Sequence, residues 1–203
     1  MIQNALIIVD VQNDFCSDGA LGVPGGEQII PLINRLMPRF DRVVATQDWH
    51  PEGHASFASQ YSKSPFEVIN LDGIEQVLWP DHAVQGSWGG QFHKDLDLKS
   101  IDLFVRKGQN PELDSYSAFF ENDKKTETGL HYYLNGLGIN DLYFVGLAWD
   151  YCVYFSAMDA SQLGYNCFLI QEGSRGVDFP EGNVEHTTQK MTNAGVKIIS
   201  HEQ

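Results

Sequence analysis

Ala5-Leu6-Ile7-Ile8-Val9-Asp10 is an unbroken apolar run closed by a carboxylate, and its continuity decides the fold class. A strand with one wet face alternates apolar and polar residues; a strand covered on both faces need not. Runs of the same kind cover 42–46, leading to Asp48, 101–105, leading to Lys107, then 141–147, 166–170 and 196–199. Helical spacing lies between them. Ile29, Ile30, Ile33, Leu36, Met37 and Phe40 share one face, with Pro31 near the start where proline is tolerated. The spacing predicts a helix over 124–137, with Leu130, Tyr133, Leu134 and Leu137 on one side. A third is expected over 151–163, N-capped by Asp150 and stopped by Gly164, and a last over 181–194. Strand and helix alternate throughout. The expectation is one α/β domain over 1–203, a three-layer α/β/α fold with a mainly parallel sheet of about six strands and helices on both faces. The segments 49–90 and 109–122 lack periodicity, and loops of that length in a compact domain are usually functional.

The chain has 203 residues, with 13 Lys or Arg against 27 Asp or Glu, a net charge of −14. Apolar residues make up 42%, an ordinary globular share that excludes general disorder. The negative field repels phosphate, so nucleic acid is not an expected partner. No apolar run approaches the roughly 18 residues of a membrane span, so no membrane partner is expected either. The N-terminus opens on a strand-like run without a basic leader. Cys16, Cys152 and Cys167 are too few and too far apart for a disulfide framework, and no CxxC marks structural zinc. A reducing cytoplasm is the expected setting. Composition leaves monomer and homo-oligomer open.

In open α/β sheets, ligands bind beyond the carboxyl ends of the strands. Asp10, Asp48, Lys107 and the turn 148–152 stand at those ends. Cys152 falls in the first turn of its predicted helix, where unpaired N–H groups and the helix dipole favour a thiolate and could receive an oxyanion. The alternative is a core cysteine facing the sheet. Asp10 is costly at a buried strand tip unless paired, and reads as a base or as a loop cap. Lys107 reads as its partner across adjacent strand ends, or as a surface lysine. Together the three form a carboxylate base, a thiol and a cation. Asp48-x-His50 places a carboxylate and an imidazole on one side of an extended segment. His82 would complete three ligands with open positions. His54 is either a fourth ligand or turned away, and the second is preferred. His93, His131, His186 and His201 read as surface, and Cys16 and Cys167 as packing.

Six segments in order resemble the isochorismatase-like cysteine hydrolases, and among them the nicotinamidases. They are Ile7-Ile8-Val9-Asp10-Val11-Gln12-Asn13-Asp14-Phe15, Thr46-Gln47-Asp48-Trp49-His50-Pro51 with His54 and Ser56-Phe57, Trp79-Pro80-Asp81-His82-Ala83-Val84-Gln85-Gly86, Lys107-Gly108, Asp114-Ser115-Tyr116-Ser117-Ala118-Phe119, and Gly146-Leu147-Ala148-Trp149-Asp150-Tyr151-Cys152-Val153. The resemblance spans nearly the whole chain. It implies a triad of Asp10, Lys107 and Cys152 and an oxyanion hole from the N–H groups of Ala148 and Cys152, with a cis peptide at Leu147–Ala148. It implies one divalent metal ion (zinc, iron or manganese) on Asp48, His50 and His82. Phe15, Leu21, Trp88 and Tyr116 are the implied pocket residues. The implied reaction takes nicotinamide to nicotinate and ammonia through a thioester, as in NAD salvage, with pyrazinamide as a second substrate. Two residues depart from the pattern. Trp149 stands where Thr is common, and either fills a gap behind the turn or reshapes the pocket for another amide. Ala83 stands where Cys is frequent.

Overall fold

The strands are β1 Asn4–Val9, β2 Arg42–Asp48, β3 Val68–Leu71, β4 Ile74–Val77, β5 Leu103–Lys107, β6 Asp141–Leu147, β7 Asn166–Arg175 and β8 Lys197–Ile199. The α-helices are α1 Ile30–Leu36, α2 Leu130–Gly136, α3 Tyr154–Gln162 and α4 Asn183–Asn193. The computed structural model describes residues 3–202; the expected domain limits, 1 and 203, lie outside them. Six strands make one sheet in the order β5-β2-β1-β6-β7-β8, every pairing parallel. β1 sits near its middle and shows why its run is unbroken. Ala5, Ile7 and Val9 pack on one face with Leu134, Ala157, Ala160 and Met191 of α2, α3 and α4. Leu6 and Ile8 pack on the other with Ile30, Ile33 and Leu36 of α1. The five apolar residues of β1 are fully buried, each Leu, Ile or Val side chain contributing about 1.5–3 kcal/mol. The expected three layers are present.

The departures are local. The expected first helix is broken into a 3₁₀ turn over 26–29, α1, and a second 3₁₀ turn, Met37–Arg39. Pro38 lacks the N–H that would continue it. The helix expected over 124–137 begins only at Leu130. Before it, the Asp123 carboxylate accepts the N–H groups of Lys125 and Thr126, a local turn that competes with helix. Segment 49–90 holds an antiparallel hairpin of β3 and β4. Its Asp72-Gly73 turn, with φ of 49° and 91°, is the Asp-Gly hairpin signal overlooked in the sequence. β7 continues five residues past its expected end. Among the described residues, no helix is long and apolar enough to cross a membrane.

Candidate active site

Asp10, Asp48, Lys107 and the Ala148–Cys152 turn follow or end β1, β2, β5 and β6. They meet above the carboxyl edge of the sheet. β2 lies between β1 and β5, so Lys107 and Asp10 are two strands apart, not on adjacent ones as expected. The long lysine stem spans the gap. Lys107 Nζ is 2.9 Å from Asp10 Oδ2, 2.9 Å from Asp48 Oδ1 and 3.5 Å from Cys152 Sγ, and it donates to the Ser115 carbonyl at 2.9 Å. Burial works against this ammonium, yet Asp10 and Asp48 outweigh it and hold its pKa well above the ordinary value.

Asp10 is wholly buried. Its Oδ1 accepts the Thr46 hydroxyl at 2.6 Å. Its Oδ2 is ion-paired with Lys107 but accepts no well-aligned hydrogen bond, so it keeps a lone pair for another proton. Burial raises the Asp10 pKa more than Lys107 lowers it. Burial also pushes the Cys152 thiol well above its ordinary value; Lys107 pulls the other way, while the Asp10 and Asp48 carboxylates add to the rise. This corrects the thiolate expected from a helix start. Residues 149–153 form a wide π-type turn behind Ala148, and α3 begins only at Tyr154. Burial thus favours the thiol form of Cys152 over the thiolate. The Leu147–Ala148 peptide is cis, and Ala148 and Cys152 line one cavity.

The second cluster shares Asp48. Its Oδ2 lies 3.0 Å from His50 Nε2 and 3.5 Å from His82 Nε2. Burial opposes the Asp48 carboxylate, but His50 and Lys107 hold its pKa well below the usual range. The far nitrogens are anchored: His50 Nδ1 meets the Gly108 carbonyl at 2.9 Å and His82 Nδ1 the Pro80 carbonyl at 2.8 Å. Such outer contacts fix the tautomer and aim the other nitrogen inward. The three ligand atoms lie within 4.8 Å of one another and all three residues are buried, a donor set that fits a divalent ion. His50, His54 and Asp114 form another such group, but there the donors are spent. His54 Nδ1 is bonded to Ser56 and Nε2 meets the Leu113 carbonyl; Asp114 accepts from Ser115 and Gln76. His54 instead stacks on His50, ring centres 4.1 Å apart.

Two residues of the first motif earn their places here without having been singled out. Gln12 accepts the Asp48 N–H at 2.7 Å and donates to the Asp48 carbonyl at 2.8 Å. Asp14 accepts the N–H of Ala83, beside His82, at 2.8 Å. Their one signal in the sequence was polar residues directly following a buried apolar strand.

The cavity is lined mostly by apolar and aromatic side chains, with Asp48, His82, Asp114 and Cys152 as its polar groups, the make-up of a small-ligand site. Phe15, Leu21 and Tyr116 line it as expected, together with Trp79, Tyr151 and Val177. Trp88 does not: it is 61% exposed and borders a separate surface cleft. Trp79 and Tyr151 stood within quoted motifs, but Val177 carried no signal. The Asp150 carboxylate brings it in. Rather than capping a helix, it accepts the N–H groups of Val177 and Asp178, each at 2.9 Å. Trp149 fills the gap behind the turn. It packs in the core with α3 and α4, its Nε1 donating to Thr188 Oγ1 at 2.9 Å. Of the histidines read as surface, only His186 is exposed; His93, His131 and His201 are partly buried, and His131 is bonded to the Tyr165 hydroxyl. Cys16 and Cys167 are buried packing residues.

Residues 4–203 match the isochorismatase domain family. The chain is 48% identical over 197 residues to a nicotinamidase from Acinetobacter baylyi, covering 97% of this chain and 92% of that one. A solved nicotinamidase/pyrazinamidase from Acinetobacter baumanii superposes with a TM-score of 0.96 at 45% identity, covering 98% and 97% of the two chains. A pyrazinamidase from Pyrococcus horikoshii solved in complex with zinc gives 0.79 at 33% identity, covering 98% and 99%.

Proposed function

The chain belongs to the isochorismatase domain family of hydrolases, and from that premise we propose that it is a nicotinamidase. It converts nicotinamide to nicotinate and ammonia as a metal-dependent cysteine amidohydrolase, and takes pyrazinamide as well. One observation carries the reading. Cys152, Asp10 and Lys107 meet within contact distance at a small aromatic cavity, beside a buried Asp48–His50–His82 donor set.

Asp48, His50 and His82 would hold a divalent ion, which would supply Lewis-acid chemistry beside the cavity. The chain's own groups do the rest. Phe15, Trp79, Tyr116 and Tyr151 enclose the ring and exclude water. Asp10 takes the thiol proton, and Lys107 steadies the pair as negative charge shifts to sulfur. Cys152 Sγ then bonds to the carboxamide carbon. The N–H groups of Ala148 and Cys152 receive the oxyanion, each such donor typically worth about 3 kcal/mol. Asp10 returns the proton to the departing nitrogen, which leaves as ammonia. Water, deprotonated by Asp10, cleaves the thioester and frees nicotinate and the thiol. The three free, buried cysteines suit a reducing compartment, and we infer a cytoplasmic setting.

The test is ammonia release from nicotinamide by metal-replete protein, with Cys152→Ala alongside. Release by the wild type alone supports reaction and nucleophile together. Release by both removes Cys152 from the mechanism; release by neither turns the substrate search to other carboxamides. Trp149 gives no reason to expect that last outcome, because it does not line the cavity.

A further inference from the structure

The β3–β4 hairpin stands outside the main sheet. Of its strand residues only Gln76 is buried, at 2% exposure. A lone two-stranded hairpin is marginally stable in water, and a polar group at its one buried position is costly unless satisfied. Gln76 is satisfied by the cavity wall. Its Nε2 donates to Asp114 Oδ2 at 2.8 Å and to the Val77 carbonyl at 2.7 Å, and lies 3.3 Å from the Tyr116 hydroxyl oxygen. Trp79 Nε1 reaches the same oxygen at 3.2 Å. Asp114, Tyr116 and Trp79 all line the cavity; Gln76 does not.

We propose that Gln76 is a positioning residue, through which the β3–β4 hairpin sets the affinity of the cavity for its aromatic substrate by holding Asp114 and the Tyr116–Trp79 wall in place. The identity of that substrate rests on the nicotinamidase reading. Gln76 touches none of Asp10, Lys107 or Cys152 in the contacts above, so its loss should act on binding more than on the chemical step.

The experiment compares Gln76→Met, which keeps length and removes the amide, with wild type in nicotinamide kinetics and hydrogen exchange. The expected result is KM raised about tenfold, the scale of one buried hydrogen bond to a charged partner, with kcat changed much less. Exchange should quicken in 113–117 as well as in 68–77. In a Tyr116→Phe background the same substitution should raise KM by less than it does in the wild type, because the acceptor shared with Trp79 is already gone while the Asp114 contact remains to be lost. Gln76→Asn, one methylene too short to reach, provides a second variant with the same expectation. A KM within twofold of wild type, full additivity with Tyr116→Phe, or faster exchange confined to 68–77 would overturn the proposal. Should wild type not hydrolyse nicotinamide, the functional reading fails, and the exchange pattern still decides the role of Gln76.

Discussion

Lys107 Nζ stands 2.9 Å from Asp48 Oδ1, so the cation beside Cys152 also neutralises the carboxylate of the metal-type cluster. Removing it leaves two buried carboxylates without their partner. Lys107→Met should therefore destabilise the protein by about 3–5 kcal/mol and abolish turnover. A divalent ion beside Asp48 replaces part of the missing positive charge. The stability loss should thus be larger in chelator than in saturating zinc. Urea denaturation of both proteins in both buffers measures this; equal losses would contradict the shared-cation account.

His82 and His54 should separate cleanly in metal analysis. His82→Ala removes an inward-facing donor and should cost at least about tenfold in ion affinity. His54→Ala removes a ring already bonded to Ser56 and stacked on His50. It should keep stoichiometric ion while losing roughly 2–4 kcal/mol of stability. Elemental analysis after dialysis distinguishes them. Ion lost from the His54 variant would place that residue among the ligands.

Trp149 should matter for stability and not for substrate. Trp149→Ala should cost about 3–5 kcal/mol, as for other large buried aromatics. Trp149→Thr, which restores the residue common at this place in the resembling family, should also destabilise by a few kcal/mol, roughly the same scale. Neither should move KM by more than about twofold at temperatures where the protein stays folded. A large KM shift with Trp149→Thr would mean that the indole reaches the cavity.

Asp150 should act on the far wall. It is 1% exposed and accepts three N–H donors, from Val177, Asp178 and the Asn183 side chain. Asp150→Ala leaves them unpaired, at a cost of roughly 2–4 kcal/mol, and frees the segment carrying Val177. KM should rise, and amide exchange should quicken at 177 and 178. Unchanged exchange there would show that other contacts hold the segment.

Much of this site was readable before any coordinates because its chemistry sits at strand ends, and strands buried on both faces announce themselves. Asp10, Asp48 and Lys107 each close an apolar run, so fold and site came from one pattern. What escaped detection depends on contacts between distant segments. Val177 joins the cavity because Asp150 holds its N–H, 27 residues away. Trp88 shares a composition with pocket aromatics, yet nothing local says which way it faces. The thiol state of Cys152 depends on how deeply the turn is buried, and local sequence does not encode depth. The helix cap expected at Asp150 failed for a related reason: a carboxylate there can bond the adjacent turn or a remote strand end, and tertiary packing chose the second.

The strand order also bears on how the chain is made. β1 emerges first from the ribosome but lies near the middle of the sheet, with β2 on one side and β6 on the other. Its β6 neighbour begins only at Asp141, so one whole flank of the first strand waits through most of synthesis. Parallel, non-local pairing of this kind is slow to form and leaves apolar edges open meanwhile. Cys152, the proposed nucleophile, arrives later still, just after β6. A truncated or nascent chain that ends before this strand therefore carries Asp10 and Lys107 but not Cys152, so the proposed triad is assembled only once β6 has joined the sheet.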